Sequence, residues 1–177
     1  MKRLLSATAL LLLTTSCSGL KVHMDHDSRA DFTKFTTYAW KWKEAPPLEG
    51  SDPLLHRKLL AAADEQLAGK GLRLVTSKPD VYITYYTDTA KEVVADTTGF
   101  GYSHSPYWRG GGMHTTSTRV TEYTIGTLVI DIWDAEASQL VWRGTASDTV
   151  SGKPGGDQKK IDNALAKMFA LYPPPTP

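Results

Sequence analysis

An α+β domain is what this chain predicts: one antiparallel β-sheet with two helices packed on one face. Three observations carry that expectation. Residues 53–67 and 158–172 repeat apolar side chains at helical spacing, each between a start and a stop signal. The stretches before and between them are rich in β-branched and aromatic residues that alternate at period two. Two of those stretches, 127–134 and 140–146, can be matched face to face as a hairpin, which makes the sheet antiparallel where it is best defined.

The chain starts with a leader. Lys2 and Arg3 form a basic opening, residues 4–13 an apolar run, and Thr14-Thr15-Ser16 lead into Cys17, the one cysteine of the sequence. That is the build of a secretory signal, and an apolar run of about ten residues is too short to span a bilayer as a helix. A cysteine at this junction resembles the lipobox of bacterial lipoproteins, in which the thiol is diacylated and becomes the new N-terminus. Thr14 stands where a typical lipobox has a branched apolar residue, so an ordinary secretory signal is the alternative. The resemblance implies attachment to the membrane through an N-terminal lipid. With Ser18 rather than Asp after the cysteine, it also implies the periplasmic face of the outer membrane. Acyl chains contribute about 0.8 kcal/mol per buried CH₂, so several make a stable anchor. The expected organisation is a signal peptide over 1–16, an acylated cysteine and short tether over 17–21, a single domain over 22–172 and a Pro-rich tail over 173–177. Residues 18–21 reach only about 14 Å when extended, which keeps the domain close to the lipid. Without a second cysteine no intramolecular disulfide forms, and the fold relies on its core.

Within the domain, Thr36 to Trp42 reads as a strand with Tyr38, Trp40 and Trp42 on one face. Asp52 can cap a helix that has Pro53 in its first position and Leu55, Leu59, Ala62, Ala63 and Gln66 or Leu67 along one face. Lys70 suits the negative end of the dipole, and Gly69 or Gly71 can end the helix. Asp80 to Thr87 is a strand with Val81, Ile83 and Tyr85 opposite Tyr82, Thr84 and Tyr86. Thr115 to Thr124 is a further strand, broken by Gly126 and paired with Thr127 to Asp134. In the last hairpin Leu128, Ile130 and Ile132 should share a face with Leu140, Trp142, Gly144 and Ala146. The expected register sets Ile130 beside Trp142 and Asp131 diagonal to Arg143. A closing helix follows Asp157, with Ile161, Ala164, Leu165, Met168 and Tyr172 inward, and Pro173 to Pro175 stop it.

These residues resemble a known family. Asp31-Phe32, Tyr38-Ala39-Trp40, Asp52-Pro53-Leu54-Leu55 and Gly69-Lys70-Gly71-Leu72 make the first half of the pattern. The second half is the Gly/Tyr/Trp-rich loop, the run Gly126 to Asp131 and the run Leu140 to Ala146. Together they look like the bacterial lipoprotein family called domain of unknown function 4136. The resemblance implies an exported, lipid-anchored α+β domain and brings no established activity, cofactor or catalytic residue.

Charge excludes one class of partner. Removing Lys2 and Arg3 with the leader leaves 18 basic against 19 acidic side chains, with no basic cluster, so nucleic acid is not expected. The loop from Gly99 to Met113 is the best candidate for function. Phe100, Tyr102, Tyr107 and Trp108 offer apolar faces and Arg109 a cationic donor, which suits an envelope protein or a stacked sugar ring. The plain alternative is a hairpin connection whose aromatics fold back on the sheet. His23, Asp25 and His26, with His104 and His114, have ligand chemistry but no spacing that makes them converge, so no metal is expected. Asp131 and Arg143 read as a structural cross-strand pair, worth roughly 0.2–1 kcal/mol. No Gly-x-Ser-x-Gly, His-Glu-x-x-His or Walker motif is present, and the expectation is a non-catalytic module.

Overall fold

Helix α1 (Pro53–Gly69) and helix α2 (Gln158–Ala170) lie on a single six-stranded sheet. The computed structural model describes residues 19–100, 115–153 and 156–174. The strands are β1 (Lys21–His26), β2 (Thr37–Trp40), β3 (Arg73–Leu74), β4 (Val81–Phe100), β5 (Thr115–Asp134) and β6 (Gln139–Thr149), with a 3₁₀ turn at Phe32–Lys34. Their spatial order is β1-β6-β5-β4-β2-β3. The fold class is α+β. Four strands, β1, β6, β5 and β4, form an antiparallel set, whereas β2 runs parallel to β3 and to β4. The sheet is therefore mixed at one edge. The reason is α1: a crossover through a helix returns the chain in its original direction.

The helices form where their caps and periodicity place them. The Asp52 carboxylate accepts a hydrogen bond from the Leu55 amide at 3.0 Å, Pro53 opens α1, and Leu59, Ala63 and Leu67 are its buried face. After Lys70 the chain turns at Gly71, whose φ of +86° suits a residue without Cβ. In α2 the buried face is Ala164, Leu165, Met168 and Phe169. The Asp157 side chain makes no cap; it accepts from the Ser151 amide and hydroxyl instead, at 3.0 Å each.

Between helices and sheet lies one core. Val81, Ile83 and Tyr85 of β4, Leu128, Ile130 and Ile132 of β5, and Trp142 and Ala146 of β6 meet the two helices there. Trp142 stacks on Phe169 with centroids 5.7 Å apart and meets Tyr172 edge-on. Gly144 makes room for this ring, since a Cβ at that position would collide with the far edge of Trp142.

Two pairings differ from the expected ones. Ile132, not Ile130, faces Trp142, Ile130 faces Gly144, and Asp131 lies directly opposite Arg143 rather than diagonal to it. From Trp142 to Ala146 the faces are as expected, because the register moves by two residues and a two-residue step preserves them, but Leu140 lies opposite Trp133 and leaves the face expected for it. A bulge between Ile132 and Trp133 then leaves Val141 unpaired, so Val141 is buried and Leu140 only partly so. The second difference is larger. Gly126 does not break a strand; β5 runs through it without interruption, and Thr115–Thr124 pairs with Lys91–Phe100 of β4. Gly126 is needed for space, because a Cβ there would sit 2.6 Å from a methyl of Val150.

Candidate functional site

Beyond its base, the β4–β5 hairpin leaves the sheet. β2 pairs β4 only from Val81 to Ile83, and β6 pairs β5 only as far as Ile125, opposite Thr149. From Lys91↔Thr124 to Phe100↔Thr115 the two strands pair with each other alone, apart from the Val150 amide that donates to the Thr124 carbonyl at the base. At about 3.3 Å per residue this ribbon extends about 33 Å. Strand alternation gives it two faces. One continues the helix-covered side and carries Val93, Ala95 and Val120, with Val93 and Val120 64% and 65% exposed. On it, Lys91 and Glu122 neutralise each other across 2.7 Å. The other continues the bare side of the sheet, where Tyr86, Val94 and Tyr123 are exposed along a stripe that Asp88 and Glu92 interrupt.

The bare side also holds the predicted structural pair. Arg143 Nε and Nη2 donate to the two carboxylate oxygens of Asp131 at 2.7 and 2.6 Å, a bidentate fork. Asp131 is fully buried although no helix covers it, because the half-exposed Arg143 side chain lies over it. This hydrogen bond holds the guanidinium pKa above its usual range. Asp25 of β1 stands opposite Arg143 on the other flank, and Thr84 of β4 stands opposite Asp131 with its buried hydroxyl unpartnered. His23 shares this side with Asp25, whereas His26 points to the other and meets Phe32. Among the described residues no three His, Cys, Asp or Glu side chains converge.

On the helix side, a cleft of about 360 Å³ opens at the base of the ribbon between the N-terminal ends of α1 and α2. Leu20, Leu48, Leu55, Leu128, Val150 and Ile161 supply much of its apolar wall. Its size lies at the lower end of the range for small-ligand sites, about 300–1,000 Å³. Beside it, His56 Nδ1 and the buried Tyr85 hydroxyl share a 2.6 Å hydrogen bond, and Trp40 stacks on Trp42 at 5.7 Å. Asp64 accepts from Tyr38 Oη at 2.6 Å and from Trp40 Nε1 at 2.9 Å. Burial, and then this bond, push the Tyr38 phenol pKa up.

Of the residues singled out in the sequence, Cys17, Tyr102, Tyr107, Trp108, Arg109, His104 and His114 lie outside the described residues. Phe100 ends β4, opposite Thr115. The exposed ribbon residues and the cleft were not foreseen. Val93-Val94 and the threonines around them carry a strand signal, but charges at 91, 92 and 96 mask it. No helix among the described residues is long and apolar enough to cross a membrane.

Fold and surface define a small α+β domain whose sheet is bare on one side and prolonged by a free β-ribbon. The chain belongs to the family described as domain of unknown function (DUF4136), which matches residues 22–174. Among solved structures it resembles a PDZ domain protein from Parabacteroides distasonis, at 15% identity and a TM-score of 0.58. That match covers 89% of this chain but 36% of the other, and shows likeness of fold alone. Weaker likenesses, with TM-scores of 0.44 and 0.43, are to two structures of a PelC dodecamer from Paraburkholderia phytofirmans. They are 11% and 12% identical and cover 85% of this chain and 95% of that one. A comparison with curated proteins finds no match.

Proposed function

We propose that the protein is a lipid-anchored lipoprotein on the periplasmic face of the outer membrane, working as a non-catalytic binding or assembly module. The leader and the position of Cys17 support the anchor. The observation that carries the binding role is the stripe of Tyr86, Val94 and Tyr123, 48%, 42% and 42% exposed on the bare side of the sheet and its ribbon. Val94 and Tyr123 are diagonal neighbours on a ribbon that fills no core, and exposed aromatic and aliphatic side chains so placed are the usual anchors of a protein contact. The partner in this reading is an envelope protein.

Photo-crosslinking in living cells from a probe at Tyr123 tests the binding role. A discrete protein adduct identifies the partner. Glycan adducts turn the reading to cell-wall recognition, and a silent probe beside working core controls reduces the stripe to surface. Cys17→Ala tests the anchor: the variant moves to the soluble fraction, and full retention in membranes defeats the lipoprotein reading.

A further inference from the structure

The geometry points to a lipid surface as what the ribbon, with Val93, Ala95 and Val120, lies against. The inference deepens the proposed function and rests on acylation at Cys17.

Lys21 pairs with Ser147, which pairs in turn with Thr127, at the end of the sheet from which the ribbon departs. From there β1 runs the other way for six residues to His26, opposite Trp142. Chain entry and ribbon exit thus share one end of the sheet. From Cys17 to Lys21 the chain reaches at most about 14 Å. If the ribbon pointed away from the membrane, the length of β1, about 20 Å, would have to fit between Lys21 and the lipid. It does not fit. The ribbon must run along the surface or toward it.

Lys21, opposite Ser147, faces the bare side and Leu20 lines the cleft on the helix side, so the tether meets the domain at the edge of the sheet, beside Val150 and the ribbon base. The ribbon continues the helix side with Val93, Ala95 and Val120, and its one ion pair there, Lys91 with Glu122, is internally neutral. Exposed valines beside a neutralised ion pair, held close to a bilayer, suit interfacial contact.

The test uses the full, acylated chain reconstituted in phosphatidylethanolamine/phosphatidylglycerol vesicles. With Cys17 blocked by its lipid, Val120→Cys, Val93→Cys or Glu136→Cys each offers one thiol for an environment-sensitive dye. Glu136 lies in the exposed turn after β5, at the opposite end of the sheet. The expected result is a blue shift and quenching by nitroxide-bearing acyl chains at 120 and 93, and neither at 136. Protein that floats with the vesicles while all three dyes stay equally open to aqueous iodide overturns the lipid contact and leaves the anchor standing. Protein that does not float overturns both. Protection at 120 without vesicles, in a protein that elutes as a dimer, gives this face to a second copy and overturns the lipid assignment.

Discussion

Asp80 fastens the parallel edge of the sheet with one carboxylate. Its Oδ2 accepts from the amides of Thr36 and Thr37, each at 2.9 Å, and from the Thr36 hydroxyl at 3.0 Å, while its own amide donates to Thr37. These bonds hold its pKa below the ordinary carboxylate value, the Thr36 amide most of all. A lowered folded pKa means the stabilisation is complete above about 3.9 and is lost as pH falls through the lowered value. Asp80→Asn should cost about 1–2 kcal/mol at neutral pH and flatten the acid side of the stability profile, read by urea unfolding across pH. On the alkaline side Tyr172 acts beside the raised phenols of Tyr38 and Tyr85. Burial pushes the Tyr172 phenol up to about 12, and its hydroxyl finds no partner. Here the folded state holds its proton where the unfolded chain has begun to release it, so stability falls as pH rises from about 10 towards the raised value. Tyr172→Phe should keep the stability at neutral pH and weaken that alkaline fall in the same titration.

At the scale of elements, Gly126 decides whether β5 is one strand or two. In the sequence it reads as a breaker, because a glycine between β-branched runs is usually a turn or bulge. Its actual role depends on Val150, which packs over it from the end of β6, and that neighbour is visible only after folding. Gly126→Ala should destabilise by about 1–3 kcal/mol, the range for overpacking, and Gly126→Ala with Val150→Ala should recover most of the loss in thermal melts. A ribbon that merely frayed at Gly126 would show neither effect. What was legible in the sequence is instructive by contrast. Asp52-Pro53 and the spacing of Leu59, Ala63 and Leu67 define α1 locally, and the alternation of Val81, Ile83 and Tyr85 defines a face. Register was only half legible: alternation forbids a one-residue slip and is indifferent to two, so Asp131 moved from diagonal to directly opposite Arg143. The direction of β2 is a matter of crossover geometry, which periodicity does not encode.

For the whole molecule, core and ribbon are separate assets. The core residues of β4 end at Tyr85 and those of β5 begin at Leu128, so the outer ribbon contributes no side chain to it. Replacing residues 91–124 by Asn-Gly, a two-residue turn that suits a hairpin, should leave the melting temperature within a few degrees and abolish partner capture from the bare side. A large loss of stability would show the ribbon to be part of the folding unit. The cleft at its base was invisible to sequence analysis because it joins Leu20, Leu55, Leu128 and Ile161 from four distant segments.

The pairing of β1 with β6 has a consequence in time as well as in space. Lys21 finds its partner at Ser147, near the other end of the chain. In a protein delivered across a membrane with its N-terminus leading, the first strand to emerge waits for nearly the whole domain before it can bond. On the proposed anchored reading, the segment nearest the lipid is therefore among the last to settle. The sheet closes where the chain began, so its first strand is among the last to be paired.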